Sequence, residues 1–243
     1  MKIIDIHSHI LPAVDDGASN TEVAVKLLEI MKSQGITDVV ATPHFIASEH
    51  NMEEFLNRTG AAMKELSAAV YGRDLPNIYF GSEIYYFRGI GKSSGISRLS
   101  LNGSEYILLE LPNSEISQSV LDDINGIYSN LGLTPIIAHI ERYTKEFGFK
   151  KLLKLLDSEI CYAQVNASSI LYPPFRRAAK KLFKMGYVSF IATDSHSLRN
   201  RPPLMDQALK ALESDFGKET KDRIIRNLDG ICREITSDKT HES

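Results

Sequence analysis

Lys2-Ile3-Ile4-Asp5-Ile6-His7-Ser8-His9 decides the fold of this chain. Lys2–Ile6 has the β-branched, apolar character of a short buried strand, and the two histidines stand where that strand runs out into a loop. In extended backbone, residues i and i+2 share a face, so His7 and His9 can address a single point. Asp15-Asp16-Gly17 follows in the same loop, close enough for Asp16 to turn back over that point.

The pattern recurs along the chain. Strand-like runs at Asp38–Ala41, Ile78–Gly81, Tyr106–Leu111, Thr134–Ala138, Tyr162–Val165 and Val188–Ala192 alternate with amphipathic stretches of helical length. The first helix carries Val23, Leu27, Leu28 and Met31 on one face, begins with Ser19 and Glu22 at capping-box spacing and stops at Gly35. Further helices are expected at Met52–Tyr71, Gln118–Asn130, Thr144–Leu156, Pro174–Met185, Pro203–Phe216 and Lys218–Ile235. Gly89–Gly103, rich in Gly and Ser, reads as an irregular excursion near the site. Seven strands with helical crossovers predict an α/β fold, a TIM-like barrel, with a doubly wound open sheet as the alternative. The barrel is preferred because polar residues end nearly every strand, and barrel sites are built at those ends.

The polar strand ends supply nine candidate metal ligands: His7, His9, Asp16, His44, Glu83, Glu110, His139, Asp194 and His196. Asp194 and His196 repeat the i, i+2 spacing at the last strand, which a closed barrel places beside the first. Since one ion takes roughly four to six ligands, nine suggest two or three ions. The set contains no thiolate, which disfavours structural zinc and suits manganese, iron or zinc in a catalytic cluster. Taken singly, a strand-end histidine is more often a hydrogen-bonded loop residue, Asp16-Gly17 an ordinary turn, and Glu83 or Glu110 a solvated strand end. The bland reading must account for every strand end separately, and the joint pattern outweighs it. His50 and His241, in polar or terminal surroundings, are left out.

Composition narrows the classes. The 243 residues, 43% hydrophobic and 24% charged, are those of a soluble globular protein, expected here to form a single domain over 1–243 with residues 236–243 as a polar tail. A net charge of -3 with dispersed Lys and Arg argues against a nucleic-acid surface, while leaving room for a local basic pocket. Cys161, placed in a strand, and Cys232, in the last helix, read as reduced core residues of a cytoplasmic protein. A cysteine-based phosphatase loop would need an arginine six residues beyond its nucleophile, where Ala167 and Asp238 stand. No apolar run reaches the ~20 residues of a membrane span, so direct membrane insertion is not expected.

The motifs carry a resemblance. Asp5-Ile6-His7-Ser8-His9-Ile10-Leu11-Pro12 with Asp15-Asp16-Gly17 resembles the opening of a PHP (polymerase and histidinol phosphatase) domain. More closely, the chain resembles the PHP-type protein tyrosine phosphatases of bacterial capsule and exopolysaccharide loci. The resemblance continues through Ala41-Thr42-Pro43-His44, Gly81-Ser82-Glu83-Ile84-Tyr85-Tyr86, Asn102-Gly103, Ile137-Ala138-His139-Ile140-Glu141-Arg142-Tyr143, Thr193-Asp194-Ser195-His196 and Arg201-Pro202-Pro203, in order. It implies a PHP-type distorted (β/α)7 barrel with a trinuclear centre, manganese (Mn2+) first, with Fe, Co, Zn or Mg as alternatives. The nine candidates match its ligand positions, and Arg142 and Arg201 match the arginines that hold substrate phosphate. Ile140 stands where relatives often have Pro, and Ser195 where Ala is common; neither removes a ligand.

The implied activity is protein-tyrosine phosphatase: hydrolysis of a phosphotyrosine monoester by a metal-activated hydroxide, with Arg142 and Arg201 gripping the phosphoryl oxygens. No dedicated general acid stands out; Asp194 or a ligand histidine is left to assist. The implied partner is the phosphotyrosine tail of a capsule-synthesis tyrosine kinase, with oligomeric state left open. Histidinol-phosphate phosphatase and a PHP-type exonuclease are the rivals, the second weakened by net charge and the lack of an appended nucleic-acid module.

Overall fold

The computed structural model describes residues 1–112, 116–144 and 149–237. Its parallel strand segments are β1 (Ile4–Ser8), β2 (Asp38–Ala41), β3 (His44–Phe45), β4 (Asn77–Phe80), β5 (Glu83–Tyr85), β6 (Tyr106–Glu110), β7 (Thr134–Ile137), β8 (Tyr162–Asn166) and β9 (Phe190–Ala192). One sheet orders β1-β2-β4 and the other β3-β5-β6-β7-β8-β9. β3 resumes the line of β2 after Thr42-Pro43, and β5 resumes that of β4 after Gly81-Ser82, so these segments amount to the seven staves read from the sequence. Pro43 has no N–H to give to a ladder, which interrupts its stave. Its carbonyl instead accepts from Glu83 N at 3.2 Å and from Ser82 Oγ at 2.7 Å.

The ring is joined between the last stave and the first. Ser8 bridges Ser195 in parallel, His9 N donates to Ser195 O at 2.9 Å, and Asp194 N donates to His7 O at 2.9 Å. The result is a distorted parallel (β/α)7 barrel. Apart from β4, whose residues are at most partly buried, its staves are largely buried on both faces and read as near-continuous apolar runs: Val39-Val40-Ala41, Ile107-Leu108-Leu109 and Ile136-Ile137 all lie in the core.

The outer layer comprises α1 (Thr21–Ser33), α2 (Met52–Val70), α3 (Gln118–Leu131), α4 (Phe149–Leu156), α5 (Ala167–Leu171), α6 (Arg176–Lys184), α7 (Met205–Phe216) and α8 (Lys218–Thr236). α1 buries Ala24, Leu27, Leu28 and Met31 against the barrel, each large side chain contributing about 1.5–3 kcal/mol. Its cap is Asn20, whose Oδ1 accepts from Val23 N at 3.0 Å, and not Ser19 as expected; the amide acceptor reaches the orphan N–H directly.

Other expectations need adjustment. The helix expected over Thr144–Leu156 is a 3-10 turn, Ile140–Thr144, followed by α4, with 145–148 outside the described residues. α6 starts only at Arg176, after Pro173-Pro174, and α5 was not anticipated. Cys161 sits just before β8 rather than in it, and both cysteines are buried and free. α8 takes in Thr236, and 238–243 of the expected tail lie outside the described residues.

The Gly89–Gly103 excursion is the β5–β6 crossover itself, built from 3-10 turns at Ile90–Lys92, Ser94–Leu99 and Leu101–Gly103. It buries Ile90, Ile96, Leu99 and Leu101 where other crossovers use a helix. Gly91 and Gly126 of α3 allow the closest approach. A Cβ on Gly91 would lie 2.4 Å from Asp123 O, and one on Gly126 would lie 3.0 Å from Gly91 O. Asn102 Nδ2 donates to Ile235 O at 2.6 Å, tying the end of the excursion to α8. The chain just before the excursion adjoins the site, where Tyr86 N donates to Glu110 O at 2.8 Å.

Candidate metal centre

All nine candidate ligands converge at the carboxyl ends of the staves. His7 and His9 close β1, His44 opens β3, Glu83 opens β5, Glu110 ends β6, and His139, Asp194 and His196 follow β7 and β9. Asp16 reaches over from the β1–α1 loop. His7 Nε2 and His9 Nε2 are 3.2 Å apart. Glu83 Oε2 lies at the centre, 3.2 Å from His7 Nε2, 3.3 Å from His9 Nε2 and 3.0 Å from His44 Nδ1. Its other oxygen is 2.8 Å from His139 Nε2, which also faces Glu110 Oε1 at 3.6 Å. Asp16 Oδ1 faces His44 Nε2 at 3.4 Å and His196 Nε2 at 3.2 Å.

Local backbone explains the convergence. β1 carries one extra residue between Asp5 and Ser8 relative to β2, a bulge that re-aims His7. The i, i+2 reading holds for His7 and His9, but not for the last stave. Asp194 adopts a left-handed φ of 49°, so a kink past the end of β9 brings it 3.6 Å from His196 Nδ1. His139 is likewise left-handed, at φ 32°. Non-glycine residues in this region each cost of order 1 kcal/mol; Ala13, Asn102 and Glu159 share the conformation outside the ligand set, and His139 and Asp194 adopt it within the set.

Four imidazoles share one orientation. His9 Nδ1 is held by Asp15 Oδ2 at 2.7 Å, His7 Nδ1 by Gln164 Oε1 at 3.2 Å, His139 Nδ1 by Tyr143 OH at 3.3 Å, and His196 Nδ1 by Asp194 O at 3.0 Å. Each outer contact leaves Nε2 facing the centre, the habit of metal-ligating histidines. His44 differs, its two ring nitrogens lying against Glu83 and Asp16. Gln164 also accepts from His139 N at 2.9 Å and donates to Asn166 Oδ1 at 2.8 Å. Asn166 Nδ2 in turn donates to Asp194 Oδ2 at 2.5 Å. The sequence assigns no role to Asp15, Tyr143, Gln164 or Asn166. Asp15 stands beside Asp16 and Tyr143 beside Arg142 in the quoted motifs, and the inward polar residues of β8 are the available signal for Gln164 and Asn166.

The electrostatics favour cations. Burial opposes charge on His7, His9 and His44, yet the facing carboxylates outweigh it; Asp15 and Glu83 push His9 up to about 10. Against its own burial, Glu83 is held well below the usual carboxylate range by His7, His139 and His44. Burial lowers His139, and burial with His9 pushes His196 down to about 3. Glu110 is pushed up to about 7 by burial and by Glu83. A field that draws positive charge onto three imidazoles is one that attracts metal ions.

The donors fit such ions. His9, Asp16, His44 and His196 can each offer an atom within 4.8 Å of the others, as can His7, His9 and Asp194, and again His44, Glu83 and Glu110. Among the described residues, Glu83 Oε2, Asp194 Oδ1 and His196 Nε2 are buried with ion-pair contacts but no hydrogen bond of good geometry. Such atoms ordinarily find a partner, and a cation supplies one. Arg142 and Arg201 flank the cluster. Arg142 Nη2 is 2.7 Å from Asp194 Oδ2, and Arg201 Nη2 is 2.6 Å from Asp194 Oδ1. Arg142 thus pairs across the barrel, while its neighbour Glu141 turns inward to accept from Asn166 N at 3.2 Å.

Fold and cluster together define a class: a parallel α/β barrel with a candidate metal centre at the carboxyl ends of its strands. Within it, the chain belongs to the family described as capsular polysaccharide synthesis, CpsB/CapC, which it matches over residues 3–231. Tyrosine-protein phosphatase CpsB of Streptococcus agalactiae serotype III (strain NEM316) is 31% identical, the match covering 95% of this chain and 98% of that one. Tyrosine-protein phosphatase YwqE of Bacillus subtilis (strain 168) is 28% identical over 96% of this chain and 93% of its own. A crystal structure from work on YwqE and Streptococcus pneumoniae CpsB, described as unique metal-dependent tyrosine phosphatases, superposes with TM-score 0.78 at 24% identity, covering 96% and 95% of the two chains. The phosphotriesterase homology protein of Escherichia coli shares the barrel at TM-score 0.53 and 14% identity, covering 95% of this chain and 98% of that one.

Proposed function

We propose that this chain is a metal-dependent protein-tyrosine phosphatase whose substrate is the phosphotyrosine-bearing segment of a tyrosine kinase in capsule or exopolysaccharide synthesis. The observation that carries this reading is the convergence of five imidazoles and four carboxylates on one cluster, in which Glu83 faces His7, His9, His44 and His139, with Arg142 and Arg201 at the rim. Family membership and the descriptions of the relatives support it.

The nine residues would hold two or three divalent ions, manganese first, since mixed imidazole and carboxylate donors suit it. Such ions, when bound, lower the pKa of water and neutralise phosphoryl oxygens. The chain's own residues do the rest. Arg142 and Arg201 are 33% and 37% exposed, so part of each guanidinium faces the mouth and can donate to phosphoryl oxygens. Asp194 anchors both guanidinium groups, one through each of its oxygens. Asn166 and Gln164 hold Asp194 in turn, and Asp15 and Gln164 keep His9 and His7 turned inward. The tyrosine leaving group has an ordinary pKa of about 10, low enough to depart with modest proton assistance.

We also take residues 1–243 as one catalytic domain working in the cytoplasm. Two buried, unpaired cysteines suit a reducing compartment, and no helix among the described residues is long and apolar enough to cross a membrane.

The test is a side-by-side assay of metal-stripped and manganese-loaded protein on para-nitrophenyl phosphate, a phosphotyrosyl peptide and histidinol phosphate. The expected result is strong manganese dependence with the phosphotyrosyl peptide as preferred substrate. Equal rates without metal, or wild-type behaviour from His9→Ala, would refute the reading. A preference for histidinol phosphate would move the substrate to a small molecule.

A further inference from the structure

A cavity of about 930 Å3 opens between Thr144, the last residue of the 3-10 turn Ile140–Thr144, and α6. Each of its walls is joined to the site along the chain. Thr144, on one wall, stands two residues after Arg142 on the same turn, so at about 2 Å of rise per residue the cavity starts within a turn of that arginine. The other wall runs from Asn166, bonded to Asp194, through α5 to Pro173 and Pro174. Arg176 Nε donates to Ile170 O at 3.2 Å and fixes the start of α6 on α5.

The lining divides in two. Pro173, Pro174 and Phe175 make an apolar end, and exposed Tyr172 lies next to it in the chain. Arg177, Lys181 and Lys184 fall at i, i+4 and i+7 and form one basic stripe along α6. Asp215 answers the neighbouring row, Arg176 at 3.6 Å and Lys180 at 2.7 Å. Among the described residues, no carboxylate pairs with Arg177 or Lys184. This local positive field stands out against a chain of net charge -3.

We infer that this cleft receives the polypeptide flanking the target phosphotyrosine, and that it selects acidic segments with an aromatic or other apolar side chain for its Pro-Phe end. The inference rests on the phosphatase reading above. Complementary charge at such a rim acts through encounter rate and orientation, and it is screened by salt.

The test compares two phosphotyrosyl peptides, one with acidic and one with neutral flanks, and para-nitrophenyl phosphate. In the double variant Arg177→Glu/Lys184→Glu, KM for the acidic peptide is expected to rise about tenfold, with kcat/KM for the neutral peptide and para-nitrophenyl phosphate within about twofold. The wild-type preference for acidic flanks is expected to disappear as ionic strength rises, a readout that needs no substitution. Equal losses on both peptides, or none on either, would overturn the inference. So would loss of binding to phosphatidylserine vesicles with unchanged peptide kinetics, which would assign the stripe to a lipid surface. Binding of the unphosphorylated acidic peptide, read by fluorescence anisotropy, isolates the cleft. If that binding is present and charge-dependent while no phosphotyrosyl substrate is turned over, the phosphatase reading falls and not the cleft.

Discussion

Gln164→Leu probes how the barrel holds its candidate ligands. Gln164 is fully buried, and its side chain serves His139 N (2.9 Å), His7 Nδ1 (3.2 Å) and Asn166 Oδ1 (2.8 Å). Leucine keeps the volume and deletes all three contacts. The buried His139 N–H and Asn166 Oδ1 lose a partner, at about 1–3 kcal/mol each. Allowing for partial relaxation, the metal-free protein is expected to lose about 3 kcal/mol. For a chain of this size that is a fall of about 6–12 °C in Tm. His7 loses the contact that turns Nε2 inward, and Asn166, still bonded to Asp194, loses the contact that fixes its own side chain. Metal affinity should therefore fall about 10–100-fold, the usual cost of removing an outer partner of a ligating histidine. Calorimetry of stripped protein, followed by manganese titration and kinetics, separates folding from metal binding. If Tm falls while manganese affinity and kcat stay within twofold of wild type, Gln164 is merely a core residue and the orienting role is wrong.

Three further outcomes are expected. Arg201→Ala should lower kcat by about 100-fold or more on a phosphotyrosyl peptide, the range seen when one preorganised donor is removed from a developing charge, with metal content by mass spectrometry unchanged. Gly91→Val should lower Tm through a loss of about 1–3 kcal/mol, because its Cβ would lie 2.4 Å from the backbone oxygen of Asp123, and should leave manganese affinity untouched. Glu141, pushed up to about 7 by burial, binds its proton more tightly folded than unfolded. Its contribution is most favourable below the unfolded value and is lost as pH rises from about 4 through about 7, amounting to about 3 kcal/mol. Glu141→Gln should flatten that part of the stability–pH curve in chemical denaturation, and an unchanged slope would refute the assignment.

Much of the barrel was legible because parallel staves buried on both faces leave uninterrupted apolar runs, as at Ile107-Leu108-Leu109. Eight of the nine candidate donors were legible because each stands at or just past the end of a strand-like run; Asp16, in the β1–α1 loop and largely exposed, was legible only from its motif. Three things were not. The two broken staves hide behind short motifs, since Pro43 and Gly81 read as strand ends whether or not the strand resumes. The left-handed backbone at Asp194 is a property of the closed ring, fixed by its N–H reaching His7 O, and no spacing rule encodes it. The outer partners are distant in sequence: Gln164 lies 157 residues from His7 and 25 from His139, and only folding makes them neighbours.

The broken staves have a consequence for how such a centre can change. In an unbroken strand the side-chain period is two, so a one-residue slip turns every position to the opposite face. The interruptions at Thr42-Pro43 and Gly81-Ser82 separate the phase of the lower barrel, where β2 and β4 pack the core, from that of the rim, where β3 and β5 present His44 and Glu83. Each joint works as a frame-shift buffer. A single-residue insertion placed there can be absorbed locally, whereas the same insertion within β6, which runs unbroken from core to Glu110, would put core packing and ligand out of phase together.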